Sequence, residues 1–438
     1  MPPAPDAITP QDGEICIDAS QLRPGVHVRL PVPWVEHQFM FNSFVIANEE
    51  QARLIAAMQL PQLFCNPTRC KVQPLPRQPA AAPLADMLNT LEKARLSAVV
   101  AAGLAEKRER SRVMNELRER LDVAQQHFVG ATKAVEGAIR AFAANPREAI
   151  KQVAKVSEES TAALLADPDS AIVLIAEKAQ DDGYAAHALA VMTLSLLLGK
   201  QARLPEQALR ALGIGALLHD IGKQEIKSSI LRNSERNRHE EAIYQTHSRT
   251  GREQAERAGS LSQPMLDAIL YHHERFDGSG FPERLVGSAI PLAARVVAIA
   301  NRFDNLVNPV DYRRALSPSE ALSTLWTREQ KAFDGALLPL FVRAMGVYPP
   351  GSIVQLSDGR IGAVVSSAPA GRPLSPKVMI YAPEVPRRQS IIIDLASETN
   401  EQAVTIERPL RLQARTAEEL DYLLPRRKIN WSYMTERK

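Results

Sequence analysis

The sequence contains little cysteine and no long apolar run. Three cysteines among 438 residues are too few for the disulfide framework that staples small secreted domains. Cys65 and Cys70 alone do not supply the four ligands of a structural zinc site. No apolar run reaches about 18 residues, so we expect no transmembrane helix. The N-terminus also lacks the basic, apolar, small-residue succession of a signal peptide. These absences predict a cytoplasmic protein.

The charge balance is slight as well. A net charge of +3 is too small to indicate a basic surface that binds nucleic acid, so we expect no nucleic-acid partner. The hydrophobic share of 45% and the charged share of 24% are ordinary for a globular protein. The length predicts two or three domains with a substantial buried core.

The hydrophobic pattern divides the chain into four segments. Residues 1–77 show short alternating stretches, which predict a small β-rich module. Residues 84–165 repeat apolar side chains at helical spacing and predict a helical connector, through which a homodimer could form. Residues 170–345 are helical throughout, and residues 349–438 change to strands. The fold class is therefore mainly α: a helical bundle with a small β-rich N-terminal module and a short β-rich C-terminal extension.

Within the third segment, apolar periodicity and breaker residues place the helices. They are predicted at 170–180, 184–198, 205–219, 239–258, 262–274, 292–307 and 317–345. Ser317-Pro318 is a typical helix start, since serine caps and proline fits the first turn. Strands are predicted at 353–356, 361–365, 378–381 and 390–394.

Histidine is concentrated in one part of the chain: six of nine histidines lie between His187 and His273. Two adjacent pairs, His219-Asp220 and His272-His273, lie in or directly after apolar helical segments. Buried ionisable groups are costly unless they are paired or bound to metal. Adjacent helical residues point about 100° apart, so one pair can serve two neighbouring ions more easily than chelate one. The candidate ligands are His187, His219, Asp220, His247, His272 and His273.

Residues around these ligands suggest further roles. Asp220 is the natural bridge between two cations, because each carboxylate oxygen can bind one metal. Lys223 lies four residues, about one helical turn, past His219, where its ammonium could meet an anionic substrate. Asp277-Gly278-Ser279-Gly280 predicts a turn whose backbone can approach a ligand closely.

Residues ~180–345 resemble the HD-GYP family, the bacterial cyclic-di-GMP phosphodiesterases within the HD superfamily of metal phosphohydrolases. The matching segments are His-Asp-Ile-Gly-Lys at 219–223, His-Ser-Arg-Thr-Gly at 247–251, the His-His-Glu to Gly-Phe-Pro stretch at 272–282, the Ile-Pro-Leu-Ala-Ala-Arg segment from 290, and Phe303-Asp304. The first ~75 residues resemble the small module that often precedes this domain.

The resemblance implies an HD-type bundle, a cyclic dinucleotide substrate and two divalent metal ions. The family favours iron or manganese, and zinc also suits such ligands. The resemblance implies that the six candidate ligands bind metal, with residue 301 at a further ligand position. It places Lys223 near the substrate phosphate, as a catalytic residue together with Asp220. We also expect Asp277, Gly278, Gly280 and Arg313 to bind substrate.

The chain departs from the family pattern at four positions. Asn301 stands where the family carries a metal-binding aspartate, and its neutral oxygen supplies no anionic charge. Phe281 replaces the tyrosine of the Gly-Tyr-Pro element. Val310 stands where an arginine is usual, although Arg313 remains. Gly183 replaces the extra glutamate of trinuclear members, which favours two metals over three.

Three functions fit these observations. The first is an active cyclic-di-GMP phosphodiesterase. The second is a catalytically degenerate member that binds a cyclic dinucleotide or a signalling protein, such as a diguanylate cyclase, and acts as a regulator. The third is a related but different phosphohydrolase.

Overall fold

The structure is a computed structural model that describes most of the chain. The described residues are 9–32, 37–39, 42–58, 60–77, 90–176, 183–369, 371–383, 385, 387, 390–397 and 403–424. Residues 84–89 of the predicted connector, the end of the predicted helix 170–180 and the tail from residue 425 lie outside these ranges.

The helices of the described residues account for most of the fold. They are α1 Glu49–Ala57, α2 Thr90–Ala141, α3 Pro146–Ala166, α4 Pro168–Ala176, α5 Gly183–Gln201, α6 Glu206–Leu218, α7 Ser228–Leu231, α8 Arg238–Ala258, α9 Gln263–Tyr271, α10 Leu292–Val307, α11 Pro318–Thr327, α12 Leu337–Met345 and α13 Ala417–Leu423. The mainly α prediction is confirmed.

Residues Met1–Glu116 and Ala382–Ile391 form one compact unit. Its four antiparallel strands are β1 Ile15–Ile17, β2 His27–Arg29, β3 Ser43–Val45 and β4 Leu63–Cys65, in the spatial order β1-β4-β2-β3. Ile15 pairs with Cys65, and Val28 pairs with Phe44. Buried aliphatic side chains from the strands and from α1 form its core, including Val26, Ile46 and Ile55. The prediction of a small β-rich module is confirmed.

Residues Leu117–Tyr381 and Ile392–Lys438 form the second unit. Helix α5 is its central element, since almost every residue from Ala185 to Gly199 is buried. It packs against α6, α10 and α12. Helix α9 packs in turn against α6, α8 and α10. The bundle therefore brings together the five elements that carry the candidate ligands.

The C-terminal strands form a five-stranded antiparallel sheet within this second unit. The strands are β5 Ile353–Leu356, β6 Ile361–Ser366, β7 Lys377–Ile380, β8 Ile392–Asp394 and β9 Ile406–Pro409, in the order β8-β7-β6-β5-β9. The sequence predicts the first four of these strands. The sequence does not predict strand β9, because only one of the three residues before its proline is apolar.

Two helix predictions are wrong in extent. The predicted helix 317–345 is two helices, because the Asp334 carboxylate accepts the backbone N–H groups of Ala336 and Leu337 and starts a new one. The predicted helix 262–274 ends at Tyr271. The predicted N-cap at Ser317 is confirmed, since its side chain accepts from the Glu320 backbone.

Helix α5 is also the one described helix long and apolar enough to cross a membrane by length and composition. Inside the fold, however, 78% of that window is buried. This degree of burial is typical of the central helix of a bundle, and the composition is weak support for a membrane span.

Candidate metal centre

The two adjacent pairs lie at helix ends and not within helices. His219 follows the last residue of α6, with Asp220 in the turn after it, and His272 follows the last residue of α9. This corrects the expectation that the pairs point about 100° apart on a regular helix. A helix C-terminus carries partial negative charge, which favours a cation nearby.

The structure brings all six candidate ligands together in two groups that share one residue. In each group the potential ligand atoms lie within 4.8 Å of one another. One group is Asp220, His247, His272 and His273, and the other is His187, His219 and Asp220.

The two carboxylate oxygens of Asp220 face different histidines. Oδ1 lies 3.3 Å from His247 Nε2 and 3.4 Å from His272 Nε2. Oδ2 lies 3.4 Å from His219 Nε2 and 3.7 Å from His187 Nε2. Asp220 is thus placed as the shared member of two adjacent ligand sets.

Three of these imidazoles are oriented by the backbone of their own helix. The Nδ1–H groups of His219, His247 and His272 each donate to the carbonyl oxygen three residues earlier. That hydrogen bond places the ring proton on Nδ1 and leaves the Nε2 lone pair directed at Asp220. All three rings therefore present the nitrogen that can bind a metal.

His187 is oriented by a side chain. Its Nδ1 lies 2.6 Å from Asp304 Oδ2, and Asp304 is fully buried on α10. The other oxygen of Asp304 accepts from Asn308 Nδ2 at 2.8 Å. Carboxylates commonly orient metal-binding histidines in this way.

The electrostatics suit cation binding at neutral pH. Burial lowers the pKa of His272 to about 3, and burial likewise holds the pKa of His273 well below its usual value. Burial alone would raise the pKa of Asp220, but Lys223 and His219 outweigh it and hold that pKa well below the usual range. His272 and His273 are thus neutral and the Asp220 carboxylate is ionised, as metal ligands must be.

Two buried atoms further support a metal site. His219 Nε2 and His273 Nε2 make no hydrogen bond within the described part of the chain. A buried polar atom without a partner is costly and calls for an explanation, such as a bound ion. The donor set therefore fits divalent metal.

A close backbone approach holds Asp220 beside His247. A Cβ added at Gly222 would lie 2.1 Å from the His247 carbonyl oxygen and 2.5 Å from the Gly251 nitrogen. Only glycine at position 222 lets the turn after Asp220 pack directly on α8.

The loop after His273 packs against the centre. The buried Glu274 carboxylate accepts the backbone N–H groups of Glu283 and Leu285 at 2.7 and 3.0 Å. The Phe281 ring stacks on His273 with centroids 4.4 Å apart. A Cβ at Gly280 would lie 2.5 Å from the His273 carbonyl oxygen. The predicted turn is present, with Gly278 at φ +80° and Asp277 accepting from the Ser279 N–H at 3.0 Å.

Lys223 is placed between the centre and solvent. Its ammonium contacts Asp220 Oδ2 and lies 5.3 Å from the centroid of the Tyr244 ring. Burial lowers its pKa, but the Asp220 carboxylate raises it by more, so the net pKa lies above the usual value. The side chain is 20% exposed.

Two further predicted residues lie outside the two ligand groups. Asn301 is buried on α10, one turn before Asp304, and its Oδ1 accepts from Asn305 Nδ2 at 2.7 Å. Arg313 is mostly exposed and forms a two-bond ion pair with Asp311.

Sequence reasoning gave no role to three residues that the structure places at the centre. Asp304 orients His187, Glu274 fixes the loop, and Tyr184 has a buried hydroxyl without a hydrogen-bond partner in the described residues. Burial and Asp220 raise the pKa of Tyr184 well above its usual value. The spacing of three residues between Tyr184 and His187 on α5 was the available signal, because it puts both on one helix face.

Comparison with known families agrees with this geometry. Residues 149–337 match the family described as an HD domain, which is a metal-dependent phosphohydrolase fold. Residues 14–153 match a family described as a domain of unknown function, DUF3391. Residues 149–337 are thus an HD domain. The motifs within them resemble those of the HD-GYP family.

Several characterised proteins are similar over parts of the chain. The cyclic di-GMP phosphodiesterase PA4108 of Pseudomonas aeruginosa is 31% identical over 51% of this chain and 54% of its own length. The cyclic di-GMP phosphodiesterase response regulator RpfG of Xanthomonas campestris is 34% identical over 37% of this chain and 44% of its own length. The chain therefore spans about half the length of these relatives. The HDG"Y"P protein Bd1817 of Bdellovibrio bacteriovorus is 15% identical, with a TM-score of 0.45 over 75% of this chain and 98% of that one.

Proposed function

We propose that this chain hydrolyses phosphodiester bonds of cyclic-di-GMP with two divalent metal ions. One observation carries the proposal: the two carboxylate oxygens of Asp220 face two different sets of histidines. The names of the relatives support the substrate, since two of them are cyclic di-GMP phosphodiesterases.

The grouping of the donor atoms supports one set of ligands for each ion. His187, His219 and Asp220 Oδ2 would hold one ion, and His247, His272, His273 and Asp220 Oδ1 would hold the other. Imidazoles with a shared carboxylate suit iron or manganese, and zinc fits the same set. When bound, the two ions would supply Lewis-acid activation of water and neutralise charge on the phosphate.

The chain's own residues orient the reactants. Lys223 is cationic at neutral pH and partly exposed beside Asp220, so it would bind a non-bridging phosphate oxygen and stabilise the added negative charge. Asp220 stays ionised and keeps the two halves of the centre together. We assign the Asp277–Gly280 turn to substrate binding. Because Gly280 has no side chain, the backbone of this turn packs directly against His273. Arg313 would contact the second phosphate after leaving Asp311.

A second candidate function is a regulator without turnover. Asn301 favours it, because an amide oxygen already engaged by Asn305 is a weaker ligand than a carboxylate. In that case the chain would bind a cyclic dinucleotide or a signalling protein, such as a diguanylate cyclase. A homodimer through α2 would fit either function.

Metal analysis on protein purified without air exposure tests the proposal. We expect two ions per wild-type chain and loss of bound metal in Asp220→Ala and His219→Ala, with unchanged helix content by circular dichroism. His239→Ala is the matched control, because His239 is an exposed histidine on the same helix as His247. Unchanged metal content in folded Asp220→Ala would rule out a shared carboxylate.

Product chromatography with cyclic-di-GMP then separates the two functions. Linear dinucleotide or GMP appearing with wild type, and not with Asp220→Ala, supports the enzyme. Metal-loaded wild type that binds cyclic-di-GMP without product identifies the regulator. 3'3'-cGAMP is the second substrate to test, because a Vibrio cholerae relative named as specific for it is 35% identical over 28% of this chain.

A further inference from the structure

The N-terminal unit contains a pair of thiols that the metal chemistry does not use. Cys65 ends β4, and Cys70 follows the 3-10 turn Pro67–Arg69. Their sulfur atoms lie 3.4 Å apart, with Cys65 fully buried and Cys70 partly exposed. A disulfide needs the sulfurs at about 2 Å, so side-chain rotation over little more than an ångström would join them.

The surrounding hydrogen bonds hold the pair in register. The backbone N–H of His27 donates to Cys70 Sγ at 3.2 Å, and Cys70 Sγ also lies 3.4 Å from the Asn66 carbonyl oxygen. Asn66 N–H donates to His27 Nδ1 at 3.3 Å, which closes the turn onto β2. The two sulfurs are thus kept adjacent by the strand and the turn that carry them.

A metal site at this position is not supported. His27 lies beside the pair, but both of its ring nitrogens are engaged, Nδ1 with Asn66 and Nε2 with Ser43 Oγ at 2.9 Å. Two thiols without further ligands do not make a structural zinc site. Covalent chemistry between the sulfurs is the remaining use of such a pair.

We propose that Cys65 and Cys70 form a reversible disulfide when a hydroperoxide reaches Cys70. The peroxide transfers one oxygen to Cys70 Sγ, giving a sulfenic acid and one water from hydrogen peroxide. Cys65 Sγ then attacks that sulfur, the S–S bond forms, and the hydroxyl leaves as a second water with the Cys65 proton. Two thiols are oxidised and one peroxide is reduced, so the step balances.

The different exposure of the two cysteines determines which one is oxidised first. Burial raises the pKa of Cys65 to about 12, so it stays protonated and protected from direct oxidation. Cys70 is the more exposed of the two residues. Cys65 therefore acts second, as the resolving thiol at contact distance.

Peptide mapping of the full-length protein tests this directly. The reduced chain is treated with hydrogen peroxide, alkylated and digested with trypsin, which cuts after Arg69 between the two cysteines. We expect peptides 54–69 and 70–71 to be joined, alkylatable thiols to fall from three to one, and dithiothreitol to restore all three. Cys16 is the internal control, since it is exposed and has no part in the pair.

Two cysteine variants test the pairing further. Cys16→Ser should still give the joined peptides, whereas Cys70→Ser should give none and leave Cys65 as a free thiol. Unjoined peptides with Cys70 as sulfinic acid would overturn the proposal, as would a chain that does not react or a disulfide through Cys16 between two chains. The wild-type map needs no variant to fold, and it does not depend on the metal centre.

Discussion

At the scale of single residues, Asn301 is the position where replacing an amide by a carboxylate tests metal binding. It is buried on α10, and its side chain is held by Asn305 one turn later. Divalent cations bind carboxylate oxygens more strongly than amide oxygens because of the charge. We therefore expect Asn301→Asp to raise metal content per chain and, if the wild type is an enzyme, to raise its rate about tenfold. Paired metal analysis and product chromatography measure both.

The control for that substitution adds the same charge at a helix cap. Asn237→Asp at the start of α8 keeps the capping role, since aspartate caps as well as asparagine, and should leave metal content unchanged. A gain of activity only in Asn301→Asp, from an inactive wild type, would favour the regulator. Loss of both metal and activity in Asn301→Asp would show that residue 301 does not face the ions.

Phe281→Tyr tests whether the tyrosine hydroxyl of the Gly-Tyr-Pro element, which this chain lacks, matters for the reaction. Its ring already stacks on His273 at 4.4 Å between centroids, so tyrosine adds only a phenolic oxygen. We expect Phe281→Tyr to change turnover of cyclic-di-GMP by less than about threefold, since uniform packing is preserved. A rate increase of tenfold or more, measured as kcat, would mean that the hydroxyl takes part in the reaction.

Tyr184 tests the opposite case, a hydroxyl that is present and buried without a partner in the described residues. Tyr184→Phe keeps the ring and removes that oxygen. We expect the metal content to stay the same and kcat to fall about tenfold, as when one hydrogen-bond donor is lost from an active site. Unchanged kcat together with a higher unfolding midpoint would show that the buried hydroxyl only destabilises the fold and has no part in catalysis.

At the scale of elements, the contact between the turn after Asp220 and α8 positions the ligands. A methyl group at Gly222 would meet the His247 carbonyl oxygen at 2.1 Å, so the turn and the helix must separate. We expect Gly222→Ala to cost about 1–3 kcal/mol of unfolding free energy and to lower metal content. Denaturant titration and metal analysis measure the two effects.

The matched control is Gly137→Ala on α2. A Cβ at Gly137 meets nothing within 4 Å, so this substitution should be neutral or stabilising by up to about 1 kcal/mol. Equal effects of the two substitutions would mean that the close approach at Gly222 has no special role.

At the scale of the whole molecule, the buried histidines couple stability to pH. The pKa of His272 is lowered by burial from 6.5 to about 3. Below pH 6.5 the unfolded chain takes up a proton there that the folded chain does not. The metal-free protein is therefore fully stable above pH 6.5 and loses stability as the pH falls toward 3, by about 1.4 kcal/mol per pH unit for one histidine.

Urea midpoints of metal-free protein at pH 7 and pH 5 check this slope. His272→Gln should flatten it, whereas His239→Gln should not, because His239 is exposed in both states. A wild-type midpoint that does not move between the two values would contradict neutral, buried imidazoles in the fold.

The sequence alone predicted most of the helices and the members of the cluster. Helix α10 begins and ends where its apolar periodicity predicts, at 292 and 307, because a long amphipathic pattern between a proline and a polar loop leaves little choice. The break inside 317–345 escaped prediction, since the capping role of Asp334 depends on local geometry that periodicity does not encode.

The sequence by itself determined which ligands are present, because His-Asp and His-His in apolar surroundings require compensation when buried. Only the tertiary structure decided how they are used. The helices end before the pairs, three backbone carbonyls orient the imidazoles, and Asp304 reaches His187 from α10. The Asp304 contact joins residues far apart in the chain, and the His219 and His272 contacts are made at helix ends. Their geometry follows from the packing of the bundle, which no local pattern specifies.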